Sequence, residues 1–158
     1  MSETGTNPDV VSVQRMIAAS PEAIFAVIAD PNRHRDIDGS GTVRAAKNVP
    51  AKLKLGASFG MNMKLAVPYS MVSTVVEYEE NRRLAWQTLP PYRFAHKLAG
   101  GRIWRYELEP VKEGTLVRES WDISKESPLT KPIVRMAAGE TRKSMAATLD
   151  RLAELLEG

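Results

Sequence analysis

Hydrophobic and polar positions alternate along much of this chain, and the alternation changes period twice. Val10 to Ala18, VVSVQRMIA, is rich in branched residues and reads as a first strand. Ser20-Pro21 then opens a helix: the serine can cap free backbone donors and the proline suits the first helical position. The reciprocal capping box is missing, because Ala23 stands where a glutamate would be. Ile24, Phe25 and Ile28 draw a helical apolar stripe, which must stop near Ala29 because Pro31 disfavours helical backbone at Asp30. A short second helix is expected over Arg33 to Ile37, then a turn over Asp38 to Gly41.

From there to Ser124 the period is two. Strands are predicted over Thr42 to Asn48, Ala57 to Leu65, Tyr69 to Glu79, Arg83 to Thr88, Arg102 to Glu109 and Thr115 to Ile123. The connections Val67-Pro68, EENR and PVKEGT are consistent with hairpins, and Gly114 can supply a positive φ in the last. Leu89 to Gly101, LPPYRFAHKLAGG, is too long for a tight turn and has the length of a lid or binding loop. After Ser127-Pro128 the helical period returns and runs to Leu156, with Met145, Leu149, Leu152 and Leu156 on one stripe. Pro132 fits either its first turn or a restart. The order predicts an α+β architecture: an antiparallel sheet, short helices after the first strand, and one long terminal helix of ~25 residues crossing the sheet.

Strand parity predicts which side chains look inward. Trp104, Tyr106 and Leu108 share one face, opposite Arg105, Glu107 and Glu109. Phe59, Met61, Met63 and Leu65 share another, opposite Gly60, Asn62 and Lys64. In the last strand the face with Val117, Trp121 and Ile123 also carries Glu119, whereas Leu116, Arg118, Ser120 and Asp122 form the wetter face. A carboxylate among tryptophans would have its pKa raised by burial and lowered by any neighbouring cation. Glu119 is therefore read either as a ligand-orienting or acid/base group, or as a structural ion pair or a residue turned outward by a β-bulge. The facing of Trp86 and of the strand from Tyr69 to Glu79 is left undecided by alternation, because MVSTVVEY is apolar on both sides.

Composition narrows the function classes. The 158 residues suit one domain, with 1–9 a loose tail and 10–158 the folded unit. The absence of cysteine excludes disulfides, thiolate nucleophiles and cysteine metal sites. The polar start and the lack of any apolar run of about 20 residues argue for a cytoplasmic protein with no stable membrane insertion. The net charge of +3 comes from 22 basic and 19 acidic residues that are interleaved, which argues against nucleic acid as a partner. His34 and His96 lie in different loops, and His34 with Asp36 and Asp38 lacks the spacing of a metal site, so neither metal nor cofactor is expected. Neither a phosphate-binding glycine loop nor a nucleophile elbow is present.

The segments SPEAIFAVIADP, HRDIDGSGTVR and WRYELEPVKEGTLVRESWD, followed by the long terminal helix, resemble the START-like (SRPBCC) superfamily over about Val10 to Leu156. The likeness is to the polyketide cyclase/dehydrase and lipid-transport type, and in particular to small uncharacterised actinobacterial members. It implies a helix-grip fold, a curved seven-stranded antiparallel sheet around the C-terminal helix with two short helices after strand 1. It also implies a deep cavity for a hydrophobic small molecule such as a lipid, sterol or polyketide. The family contains cyclases and simple binders and has no universal catalytic motif. Binding is therefore the first expectation, a polyketide-cyclase/dehydratase-like enzyme the alternative, and a co-chaperone or interaction module the third. The catalytic candidate is Glu119, with Tyr106 and Arg102 as participants. The expected cavity lining is Phe59, Met61, Met63, Trp86, Arg102 and Trp104, with Tyr106, Val117, Glu119, Trp121, Met136 and Met145 completing it. His34, Asp36 and Asp38 are expected at the rim, and a homodimer is left open.

Overall fold

Among the described residues the elements follow the order the periodicity predicts, with seven strands, and with four α-helices where three are expected. The computed structural model describes residues 9–39, 43–47, 53–64, 68–92, 95 and 98–157, with backbone only at 43–47, 61–64 and 68–70. The strands are β1 (Val10–Ile17), β2 (Val43–Lys47), β3 (Ser58–Lys64), β4 (Pro68–Glu79), β5 (Arg83–Leu89), β6 (Ile103–Val111) and β7 (Gly114–Asp122). The helices are α1 (Pro21–Ile28), α2 (His34–Ile37), α3 (Lys131–Arg135) and α4 (Ala138–Glu157). All strand pairs are antiparallel, in the order β1-β7-β6-β5-β4-β3-β2. The sheet wraps around α4, which packs most closely on β1.

Local chemistry sets the helix ends. The Ser20 hydroxyl accepts from the Ala23 N–H at 3.1 Å with Pro21 in the first turn, and the chain leaves α1 at Ala29. Asp30 caps a single 3₁₀ turn over Pro31–Arg33, accepting from the Asn32 N–H at 3.0 Å, before α2 begins. α1 buries Ile24, Phe25, Val27 and Ile28 against Ile17, Leu84, Leu149 and Leu152. The terminal helical region is broken into two helices where its periodicity suggests one. Pro132 lies in the first turn of α3, which buries none of its side chains, and the α-helical run is interrupted at Met136 and Ala137 before α4. α4 contributes Met145, Leu149, Leu152 and Ala153 to the core.

Gly114 and Gly39 are each required by close approach. Gly114, φ 153°, follows the two-residue turn between β6 and β7, and a Cβ there would lie 2.1 Å from the Ile17 carbonyl oxygen. Gly39 brings the segment after α2 onto the backbone of α4, and its N–H donates to the Thr148 hydroxyl at 2.8 Å. A Cβ on Gly39 would meet the Ser144 carbonyl oxygen at 2.1 Å and the Thr148 nitrogen at 2.6 Å. Gly39→Ala is thus expected to push α2 off α4 and destabilise the protein by about 1–3 kcal/mol, read as a lower urea midpoint at unchanged slope. A midpoint equal to the parent's would show that this contact is not tight in solution.

Candidate functional site

The inner face of the sheet is aromatic at its centre and acidic at one point. Across β4, β5, β6 and β7 the register aligns Val75 with Trp86, Trp86 with Trp104, and Trp104 with Trp121. One step along, Leu84 pairs with Tyr106, Tyr106 with Glu119, and Glu119 with Val13 of β1. Trp86 is buried and faces inward, which settles the direction that alternation left open. It stacks on His34 with ring centroids 5.0 Å apart and an interplanar angle of 17°, and Phe59 meets both rings edge-on. Tyr106 adds a fourth ring 5.9 Å from Trp86, and Trp104 and Trp121 lie 6.3 Å apart.

Glu119 sits inside this wall. It is 4% exposed, with Val117 and Trp121 beside it on the same strand equally buried. The registers of β7 with both neighbours run without a shift, so no bulge turns the carboxylate outward. Among the described residues no arginine or lysine acts on it; the charge that bears on it is Asp38, a like charge. Burial pushes the Glu119 carboxyl up to about 8, the Tyr106 hydroxyl beside it pulls the other way, and Asp38 adds to the rise. Tyr106 is held well above its ordinary 10 by burial and by the two carboxylates. The Oε1 atom of Glu119 is buried with no hydrogen-bond partner among the described residues. Such an atom ordinarily costs about 1–3 kcal/mol.

His34 corrects the expectation that it is a rim residue: it is 8% exposed, and its Nε2 donates to the Ile28 carbonyl at 2.8 Å. Desolvation lowers its pKa from the ordinary 6.5, against the upward pull of that hydrogen bond, so the ring is neutral near pH 7. The signal that could have found it is its spacing of three from the buried Ile37 on one face of α2. Asp36 is exposed and lies 3.6 Å from Arg33. Asp38 lies against α4, its carbonyl accepting from Arg151 at 2.6 Å.

Of the other predicted lining residues, Phe59, Trp104, Tyr106, Val117 and Trp121 belong to the inner face, and Met145 packs against Val11, Trp121 and Ile123. Val13, opposite Glu119 on β1, and Trp104, opposite Trp121 on β6, are only partly buried, so solvent reaches those side chains of the wall. Met136 is a correction: it is 84% exposed, because it falls in the interruption between α3 and α4 instead of on a continuous helix. Arg102 is a second correction. It precedes β6, and its guanidinium binds Glu126 through Nε at 3.1 Å and Nη2 at 3.2 Å, away from Glu119. The side chains of Met61 and Met63, and His96 altogether, lie outside the described residues. Among the described residues no group of three His, Asp or Glu side chains is placed to hold a metal ion. A separate open groove of about 290 Å³ lies on the outer face, lined by Gln14, Arg83, Glu107 and Arg118; its walls are polar.

This arrangement has known counterparts. The model of the family described as polyketide cyclase/dehydrase and lipid transport matches residues 9–157. The chain belongs to that family. As a polyketide cyclase/dehydrase and lipid-transport member it is 40% identical over 117 residues to the uncharacterised protein Rv0088 of Mycobacterium tuberculosis, covering 73% of this chain and 48% of that protein. The chain therefore spans about half the length of the curated relatives it matches. Its fold is similar to that of protein CV1439 of Chromobacterium violaceum, with a TM-score of 0.70 at 16% identity over 96% of this chain and 99% of the other. A START superfamily protein of Mycobacterium smegmatis gives 0.67 at 16% identity over 94% and 97%. Among the family member's described helices, none is long and apolar enough to cross a membrane.

Proposed function

We propose that this family member binds a hydrophobic small molecule, a lipid, sterol, polyketide or similar compound, against the inner face of the sheet beneath α4. The observation that carries the reading is the buried Glu119 Oε1 without a partner, set in a wall of Trp104, Tyr106 and Trp121. Ligand sites combine a largely apolar lining with a few convergent polar groups, and this face has that composition. Partial exposure of Val13 and Trp104 supports an entrance beside the carboxyl. Mass spectrometry of an organic extract of the purified protein tests the reading: a stoichiometric apolar compound is expected, released when Trp104 is replaced by Ala. An interior closed by its own side chains, with no compound extracted and none bound on titration, would overturn it.

A second reading has its own support. A carboxyl with pKa about 8 is mostly protonated at neutral pH and can donate a proton, while Tyr106 can orient or receive one. In a cyclase or dehydratase-like reaction on a poly-carbonyl chain, Glu119 would act as the acid at a carbonyl or hydroxyl oxygen, with the aromatic walls excluding water. Glu119→Gln is then expected to abolish turnover while changing ligand affinity by less than threefold. Equal loss of binding and turnover would leave Glu119 as an anchor only.

A further inference from the structure

We infer that the buried end of the ligand is an uncharged hydrogen-bond acceptor, such as a ketone, aldehyde or ester carbonyl, received by the Glu119 carboxyl as donor. The inference rests on the binding reading above and assigns the chemistry of its polar end. Several elements pack around Glu119. β6 presents the Tyr106 hydroxyl, and β1 presents Val13 opposite. The segment after α2 presents Asp38, while His34 of α2 stacks on Trp86 and gives its Nε2–H to Ile28. The cation on the inner face of β1, Arg15, is engaged by Asp150 of α4, and Arg151 of α4 is engaged by the Asp38 carbonyl. Among the described residues, Asp38 is the one charge that acts on Glu119, and no cation acts on it to receive an anionic head group.

A carboxylate or phosphate end brought to Glu119 would therefore meet a buried carboxyl and the like charge of Asp38, an arrangement that is costly without a paired cation. A cationic end would require Glu119 to ionise in the same wall and would lose its own hydration. A neutral carbonyl avoids both costs. The protonated carboxyl offers one O–H, and the carbonyl supplies the acceptor that Oε1 lacks among protein groups. Ionisation of Glu119, near pH 8, removes that donor, so affinity should fall with it.

All three tryptophans of the chain, Trp86, Trp104 and Trp121, lie on this face, so quenching of their fluorescence reports occupancy. The probes are undecan-2-one, decanoate and decylamine, which share a chain length and differ at the polar end. At pH 7 the ketone is expected to bind at least about tenfold more tightly than either charged probe, the worth of one hydrogen bond of ~1.4 kcal/mol. Its affinity should drop about tenfold between pH 7 and pH 9, as a donor lost near pH 8 requires. Glu119→Gln, which keeps an N–H donor, should retain ketone binding within about threefold and abolish the pH dependence. Glu119→Leu should lose about tenfold at pH 7. Decanoate or decylamine binding as tightly as the ketone, or a ketone affinity indifferent to pH and to Glu119→Leu, would overturn the inference while leaving the binding reading intact. Failure of every probe to quench, together with an empty extract, would remove the binding reading and the inference with it.

Discussion

Replacing Glu119 by glutamine is expected to stabilise the protein, by about 3–5 kcal/mol at pH 8.5 and by almost nothing at pH 4.5. The sign follows from where the proton resides. The folded carboxyl titrates at about 8 and the unfolded one near its ordinary 4.5, so between those values the folded state holds a proton that the unfolded state releases. The wild type's stability from this group is fully present below 4.5 and is lost as pH rises through 8. Glutamine has no proton to lose, so the variant's urea midpoint should part from the wild type's progressively across that window. Parallel profiles from pH 4.5 to 8.5 would show that the carboxyl is solvated in solution. A gain of this kind at a site whose wild-type residue costs stability is the pattern expected where function retains the residue.

The second large effect belongs to Arg102. Its partner Glu126 has a side chain with no exposure, and it accepts from both Arg102 nitrogens, from the Gly100 N–H at 3.1 Å and from the Thr130 hydroxyl at 2.6 Å. These bonds tie the loop before β6 to the loop between β7 and α3. Arg102→Met leaves the buried carboxylate without its cation, and an expected loss of about 3 kcal/mol sits at the low end of the range for broken buried pairs, because Arg102 is itself 29% exposed. Adding Glu126→Gln removes the stranded charge, so the double variant should recover more than half of that loss. A double variant as unstable as the sum of the two single ones would show that the pair is not coupled.

Much of the scaffold was legible because it is written in short-range patterns. Ser20-Pro21, the stop at Pro31, the strand alternation and the Gly114 turn each need only neighbours within a few residues, and each appears where the pattern puts it. Glu119 was found for the same reason: β7 keeps its register along both edges, so parity read from Val117 and Trp121 carries to the residue between them. β4 resisted the same reading because its register with β5 shifts between Val75 and Glu77. Val76 is the extra residue and is 39% exposed, so Ser73 and Val75 face inward before it and Tyr78, not Glu77, packs on Phe25 after it. A bulge adds one residue without changing composition, which is why MVSTVVEY looks apolar on both sides.

The sequence by itself determined the strands, the first helices, their order and the face on which β6 and β7 bury their apolar side chains, since those follow from backbone periodicity and local capping. Only the tertiary structure decided what stands around the carboxylate. Glu119 meets Tyr106 across a strand pair and Asp38 from beyond the first helices, while the arginine expected near it, Arg102, is taken by Glu126, 24 residues on. Met136 left the interior because a two-residue interruption reset the helix phase, and His34 entered it because Gly39 lets α2 settle on α4. The physical reason is common to all of these. Periodicity states which way a side chain points, but the charge and polarity it meets there come from residues that only chain packing brings together, and those neighbours set the chemistry of a buried group.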